Sequence, residues 1–138
     1  MRTTFIMMLV LCSLTGFSKP GDNKTGNTAA AKNIILLIGD GMGVSQVSAA
    51  LTVNGGHLNI VELNNIGLSK TQAATDFITD SGAGGTAIAT GYKTYGYAIG
   101  VDKDTIPRKS ILEYADTYGK STGMVVTSEV THATPASF

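Results

Sequence analysis

The sequence predicts an α/β fold, a sheet covered by helices, and three observations carry that prediction. Asn33-Ile34-Ile35-Leu36-Leu37-Ile38 is a continuous apolar run ended by Gly39-Asp40-Gly41, the pattern of a strand buried on both faces. Ser121 to Thr127 is a second such run near the end of the chain. Between the two lie segments with helical spacing and clear stop signals, so the order is strand, helix, irregular segment, helix, strand, the rhythm of an α/β sandwich.

Each element has its own local reason. Ser45 to Leu51 suits a helix, closed by the turn Asn54-Gly55-Gly56. Asp80-Ser81 precedes a run of small residues, Gly82 to Thr90, that can continue as a helix with Ser81 at its start. A further helix starts at Ser110, because Ser110 and Glu113 have capping-box spacing and Ile111, Leu112, Ala115 and Tyr118 form an apolar stripe. Gly119 is placed to stop it.

With 43% apolar and 14% charged residues over 138 positions, the chain has the make-up of a folded domain with its own core. Ten basic and ten acidic residues cancel and form no basic stripe, which argues against nucleic acid as a specific partner. An anionic ligand must therefore be held by local geometry. Residues 1–18 carry Arg2, an apolar stretch from Phe5 to Cys12 and then smaller and polar residues. The stretch is shorter than the roughly 20 residues a spanning helix needs, so it is expected to be a secretory signal, with no membrane association after cleavage. Cys12 raises a lipid anchor as an alternative, but Leu11 stands where a small residue is expected. Cleavage near Ser18 would leave no cysteine for disulfides or thiolate metal sites. Residues 19–32, rich in Pro, Gly, Asn, Thr and Ala, are expected to be a flexible segment, and residues 33–138 the folded part.

Three places could carry chemistry. Ligands in open α/β sheets collect beyond the carboxyl ends of strands, and Asp40 falls at such an end between glycines that let a metal or phosphate approach. The bland alternative is that Asp40 caps a helix. A dinucleotide fingerprint is incomplete, because Val44 stands where the third glycine is required. Ser81, at a predicted helix N-terminus, would meet a phosphate with the helix dipole and unpaired N–H groups behind it. Asp80 or Ser81 could equally be a plain N-cap. No nucleophile elbow surrounds Ser81, so its activation would fall to a divalent cation. His132 and Thr134 follow the second apolar run and share a side if the chain stays extended, although one His with one Thr is weak evidence for a metal. His57 is assigned to a surface turn, and Lys93 completes no Walker motif.

Taken in order, Asn33 to Gly43, Thr79 to Asp102 and Thr127 to Phe138 resemble the N-terminal part of an alkaline phosphatase, a likeness covering nearly everything after the leader. The resemblance implies a three-layer α/β sandwich, of which this chain carries the N-terminal part of the sheet with flanking helices. It implies zinc and magnesium as cofactors, with Asp40 bridging the two and Ser81 a zinc ligand and the nucleophile that becomes phosphoserine. Asp80 would help orient the phosphate-binding apparatus, Thr134 would be a hydroxyl ligand of magnesium, and His132 would act at that third metal site. The implied reaction is in-line attack of Ser81 on a phosphate monoester, then hydrolysis of the phosphoenzyme, with the metals supplying most of the electrostatics. Small phosphate monoesters are the implied substrates, a homodimer the implied assembly, and a periplasmic or extracellular location follows from the leader.

The family's later arginine and its later Asp, His and Glu ligands have no counterparts in these 138 residues. Zinc takes about four ligands, so this stretch alone is expected to be inactive. Two rivals stand beside this reading. A phosphodiesterase or sulfatase-like relative would share the Asp40 and Ser81 positions, and a non-catalytic exported module would hold phosphate on the helix N-terminus alone.

Overall fold

The computed structural model of this protein describes residues 31–138. The leader expected over residues 1–18, and most of the segment 19–32, lie outside the described residues. The chain divides into two compact units, residues 1–36 and residues 37–138. In the first, described residues 31–36 form no regular element and Ile34 and Ile35 are exposed.

The second unit contains four α-helices and a 3-10 turn. Helix α1, Val44–Val53, starts where the Gln46 side chain accepts from the Gly43 N–H at 3.1 Å. It ends at Asn54, whose N–H reaches the Ala50 carbonyl at 2.9 Å, as the Asn54-Gly55-Gly56 turn predicts. His57 lies in that exposed turn, and the 3-10 turn Asn59–Glu62 follows. Helix α2, Ser81–Thr90, is the buried centre: Gly82, Ala83, Gly85, Thr86 and Ala89 are all shielded from solvent. Asp80 caps it by accepting from the Gly82 N–H at 2.8 Å. Gly91 ends it in the left-handed region at φ 78°, where an N–H bond to the Ala87 carbonyl closes the last turn. Helix α3, Ile111–Thr117, carries the full capping box, with Ser110 Oγ accepting from the Glu113 N–H and Glu113 Oε2 accepting from the Ser110 N–H. Gly119 follows at φ 67°, the conformation a helix stop demands. Helix α4, Ala133–Ala136, is one turn long.

Both α3 and α4 pack against α2. The residues shielded with them are small: Ala73, Ala83, Ala89 and Ala98, together with the wholly buried Thr86 and Thr94. A core of alanines and threonines is held by hydrogen bonds as much as by apolar area. Thr86 Oγ1 donates to the Ala98 carbonyl at 3.2 Å and accepts from the Gly100 N–H at 3.1 Å, fastening the loop after α2 onto the helix itself.

The expected sheet does not form among the described residues. Residues 33–38 and 121–127 are extended without a ladder, and the one β contact is an isolated antiparallel bridge between Val101 and Pro107. Ile35, Leu37 and Val125 are exposed instead of buried. An extended segment is fixed as a strand only when neighbouring backbone satisfies its N–H and C=O groups, and no described strand stands beside either run. The chain also does not stay extended through His132 and Thr134. His132 becomes the N-cap of α4 and Thr134 lies in its first turn, next to Pro135, whose missing N–H is tolerated there.

Candidate active site

Asp40 sits on a tight bend. Gly41 takes φ 66°, a conformation that glycine adopts without the Cβ penalty, and the Met42 N–H closes the bend on the Gly39 carbonyl at 3.3 Å. The carboxylate emerges into solvent with both oxygens engaged. Oδ1 accepts from Ser81 Oγ at 3.1 Å, and Oδ2 accepts from Thr134 Oγ1 at 2.6 Å. The partners stand 41 and 94 residues away along the chain, so only the tertiary fold brings them together. Hydrogen bonds from Thr134 and Ser81 hold the Asp40 carboxyl below its ordinary value against a modest opposing effect of burial, and nearby His132 adds to the lowering.

Ser81 is the first residue of α2, which puts its hydroxyl beside the N-terminal N–H groups. Asp80 faces the other way. Its Oδ2 takes the Gly82 N–H and its Oδ1 takes the Tyr97 N–H at 2.9 Å, tying the start of α2 to the loop after it. Burial pushes the Asp80 carboxyl up, and the N–H bonds from Tyr97 and Gly82 outweigh it, so the net shift is downward. Asp80 is thus the N-cap of α2 and also joins the start of that helix to the loop at Tyr97. His132 is exposed at the start of α4, and its influence on Asp40 is electrostatic.

Of the five residues singled out in the sequence, Asp40, Ser81 and Thr134 therefore meet in direct contact, Asp80 braces the group from behind, and His132 stands near it. Three oxygen donors on one accessible patch suit a hard divalent cation such as magnesium. Among the described residues no group of three or more His, Cys, Asp and Glu side chains is assembled, so a four-ligand zinc site is not completed by them.

Sequence reasoning missed a second polar cluster. Asp102, 5% exposed, accepts from the Ile106 and Asp104 N–H groups on Oδ1 and from Arg108 Nε and Nη2 on Oδ2 at 2.9 and 2.5 Å. The Arg108 guanidinium also stacks 4.1 Å over the Tyr92 ring. Bonds from the Ile106 N–H and Arg108 hold the Asp102 carboxyl below its ordinary value, and the same pair raises that of Arg108. The signal available in the sequence was Asp102-x-Asp104-Thr105, an Asx-turn composition ahead of a lone arginine. Lys93, which completes no phosphate loop, instead donates its ammonium to the carbonyls of Lys70 and Gln72.

The chain is similar to known proteins over most of its described length. The family model described as alkaline phosphatase matches residues 31–138. Alkaline phosphatase 4 of Bacillus subtilis strain 168 is 46% identical over 124 residues, which cover 83% of this chain and 27% of that protein. The solved structure of the alkaline phosphatase from the Antarctic bacterium TAB5 is 49% identical, with a TM-score of 0.73 over 77% of this chain and 31% of that one. A histidine-to-aspartate variant of the TAB5 enzyme, solved with magnesium bound in its M3 site, matches equally well at 48% identity and a TM-score of 0.73. These structures are α/β proteins, and the present chain spans between a fifth and a third of the relatives it matches. On the family match and these likenesses together, the chain belongs to the alkaline phosphatase family.

Proposed function

We propose that the whole protein hydrolyses phosphate monoesters, with Ser81 as the nucleophile and a phosphoserine as the intermediate. The observation that carries this reading is the Asp40 carboxylate, which accepts hydrogen bonds from Ser81 and Thr134 at once. Family membership supports the reaction class. Ser81 Oγ forms a bond to phosphorus as the alcohol leaves, and water then releases inorganic phosphate and restores the hydroxyl. The N-terminus of α2 favours the phosphoryl charge beside Ser81, while the Asp80 clamp keeps that N-terminus aligned. Asp40 orients the serine by accepting its hydroxyl proton in a hydrogen bond. A divalent cation bound at the patch supplies what the residues lack, a lower hydroxyl pKa and neutralisation of charge on the phosphoryl oxygens.

Asp40 and Thr134 are the residues that would hold magnesium, with His132 at its edge; in the TAB5 enzyme, magnesium is bound in the M3 site of a variant that carries aspartate in place of a histidine. Zinc is proposed as the second cofactor, shared by Asp40 and Ser81 and completed by ligands from beyond these residues. The same reading makes residues 33–138 the opening part of a three-layer α/β catalytic domain, residues 1–18 a leader for export, and the whole protein a homodimer. Because the described residues gather only three oxygen donors, the 138-residue stretch alone is assigned no turnover.

The test is Ser81→Ala in the whole protein. Hydrolysis of an aryl phosphate and acid-stable labelling by radioactive phosphate should both disappear while metal content is retained. Labelling that persists would remove Ser81 from the reaction.

A further inference from the structure

Thr134 reaches Asp40 from α4, which packs against α2, and Gly85 stands at that contact. Gly85 faces α4 from the buried side of α2. A Cβ placed on it would stand 2.7 Å from Ser137 Oγ, 3.1 Å from Ser137 Cβ and 3.4 Å from Thr134 Cα. The first two separations are too short for ordinary packing, and the atoms they involve belong to a buried residue. Ser137 is 4% exposed, and its hydroxyl donates to the Ala133 carbonyl at 2.9 Å within the same short helix. A methyl group at position 85 would turn the Ser137 hydroxyl aside and press the Ser137 Cβ, and with it α4 and Thr134, back by a few tenths of an ångström.

We propose that the Gly85–Ser137 contact is the spacer of the site, and that Gly85 is a positioning residue acting through Thr134 and Asp40 on Ser81. The lever is short. Thr134 Oγ1 lies 2.6 Å from Asp40 Oδ2, and Asp40 in turn holds Ser81 Oγ at 3.1 Å. A small withdrawal of α4 lengthens the first bond, lets the carboxylate turn, and loosens the second. Gly82 and Gly84 have different surroundings. A Cβ at Gly82 would meet the Asp80 carboxylate and the loop backbone, and one at Gly84 would meet only the Thr79 side chain at 3.6 Å or more. Gly85 alone of the three looks onto the helix that carries Thr134.

The inference rests on the phosphatase reading for its catalytic consequence but not for its geometry, and the experiment separates the two. Gly85→Ala and the double variant Gly85→Ala/Ser137→Gly are made in the whole protein; the second removes both Ser137 contacts. Crystal structures report the Thr134–Asp40 distance, and steady-state kinetics report kcat with an aryl phosphate. Gly85→Ala should lengthen the Thr134–Asp40 separation from 2.6 Å by a few tenths of an ångström and lower kcat by about 3- to 10-fold, less than the roughly 10²-fold of a 1 Å misplacement. The double variant should restore the distance and most of kcat, and it answers the question even if Gly85→Ala does not fold. An unchanged distance in Gly85→Ala, or a double variant that recovers neither distance nor rate, overturns the spacer. An unmutated protein without turnover would instead remove the phosphatase reading and leave the spacer to be decided by the distances.

Discussion

Residues 73–110 and residues 121–127 both contain residues suited to an interior, yet the first segment supplies most of the shielded side chains and the second supplies none. Within 73–110, Ala73, Ala83, Thr86, Ala89, Thr94, Ala98, Asp102 and Ser110 are all shielded, while Val125 is fully exposed and Met124 is 39% exposed. The difference lies in where the hydrogen-bonding partners are. The polar groups of 73–110 find one another at short range: the Ala74 N–H reaches the Thr94 carbonyl at 2.8 Å, Thr86 holds residues 98 and 100, and Asp102 gathers four donors from within six residues. An apolar extended run has no such resource. It needs another strand on each side, and apolarity alone does not order a backbone.

If that contrast is right, the largest loss of stability comes from Asp102→Ala. The change strips two backbone N–H groups and the Arg108 guanidinium of their acceptor, and Thr105, held at φ 63°, loses the turn that keeps it there. The midpoint of thermal unfolding should fall further than for any other single change considered below. Acid makes the same point without mutation. The folded-state pKa of Asp102 lies below its unfolded value of 3.8, so its contribution is complete above that pH and is lost as pH falls through the folded value. Urea titrations at stepwise lower pH should show the unmutated chain losing stability below about pH 4. Asp102→Asn should start lower and lose less. An equal acid loss in both would assign the effect to other carboxyls.

Next in size is Thr86→Val, which keeps the shape and removes the hydroxyl. It leaves the Ala98 carbonyl and the Gly100 N–H facing a methyl group in a closed interior, a loss of about 1–3 kcal/mol. Hydrogen exchange at the Gly100 amide should rise along with the loss of stability. Ser110→Ala follows. Ser110 is an N-cap for α3 and also donates to the Phe138 carbonyl at 2.6 Å, so about 1 kcal/mol should go, as for caps in general, with the helix frayed at its start.

Much of this organisation was legible in the residues. The Ser110–Glu113 spacing, the Asn54-Gly55-Gly56 stop and the run of small residues after Asp80-Ser81 each encode a helix end locally, and all three ends appear where the spacing puts them. The convergence of Asp40 with Ser81 and Thr134 was legible only through the resemblance of three separated motifs to one family, since nothing local links residues 41 and 94 positions apart. Tyr97, at φ 64° and donating its N–H to Asp80, left no trace in the sequence. A left-handed tyrosine has no propensity signal, and a backbone donor is independent of the side chain it carries. His132 and Thr134 were placed on one side of an extended chain, but a single turn of helix brings Thr134 to Asp40 instead. The spacer at Gly85 was equally hidden, because a glycine inside a small-residue run shows its purpose only when the facing helix is in place.

The smallest expected effect is the one that can break the comparison. Val125 is fully exposed in a segment without a ladder, so Val125→Thr, which keeps the β-branch and swaps a methyl for a hydroxyl, should change the stability of this chain by no more than about 0.5 kcal/mol. The same substitution in a strand buried on both faces would forfeit the roughly 0.8 kcal/mol of one buried methyl, and would add an unsatisfied hydroxyl at a further cost of about 1–3 kcal/mol. Denaturant titration of the paired proteins distinguishes the two outcomes easily. A loss above about 1 kcal/mol, well outside the range of exposed sites, would mean that residues 121–127 are covered, and that apolarity had ordered this segment as completely as hydrogen bonding orders 73–110. A loss within the small range would leave the 121–127 run as surface that gains a role only when another strand pairs with it.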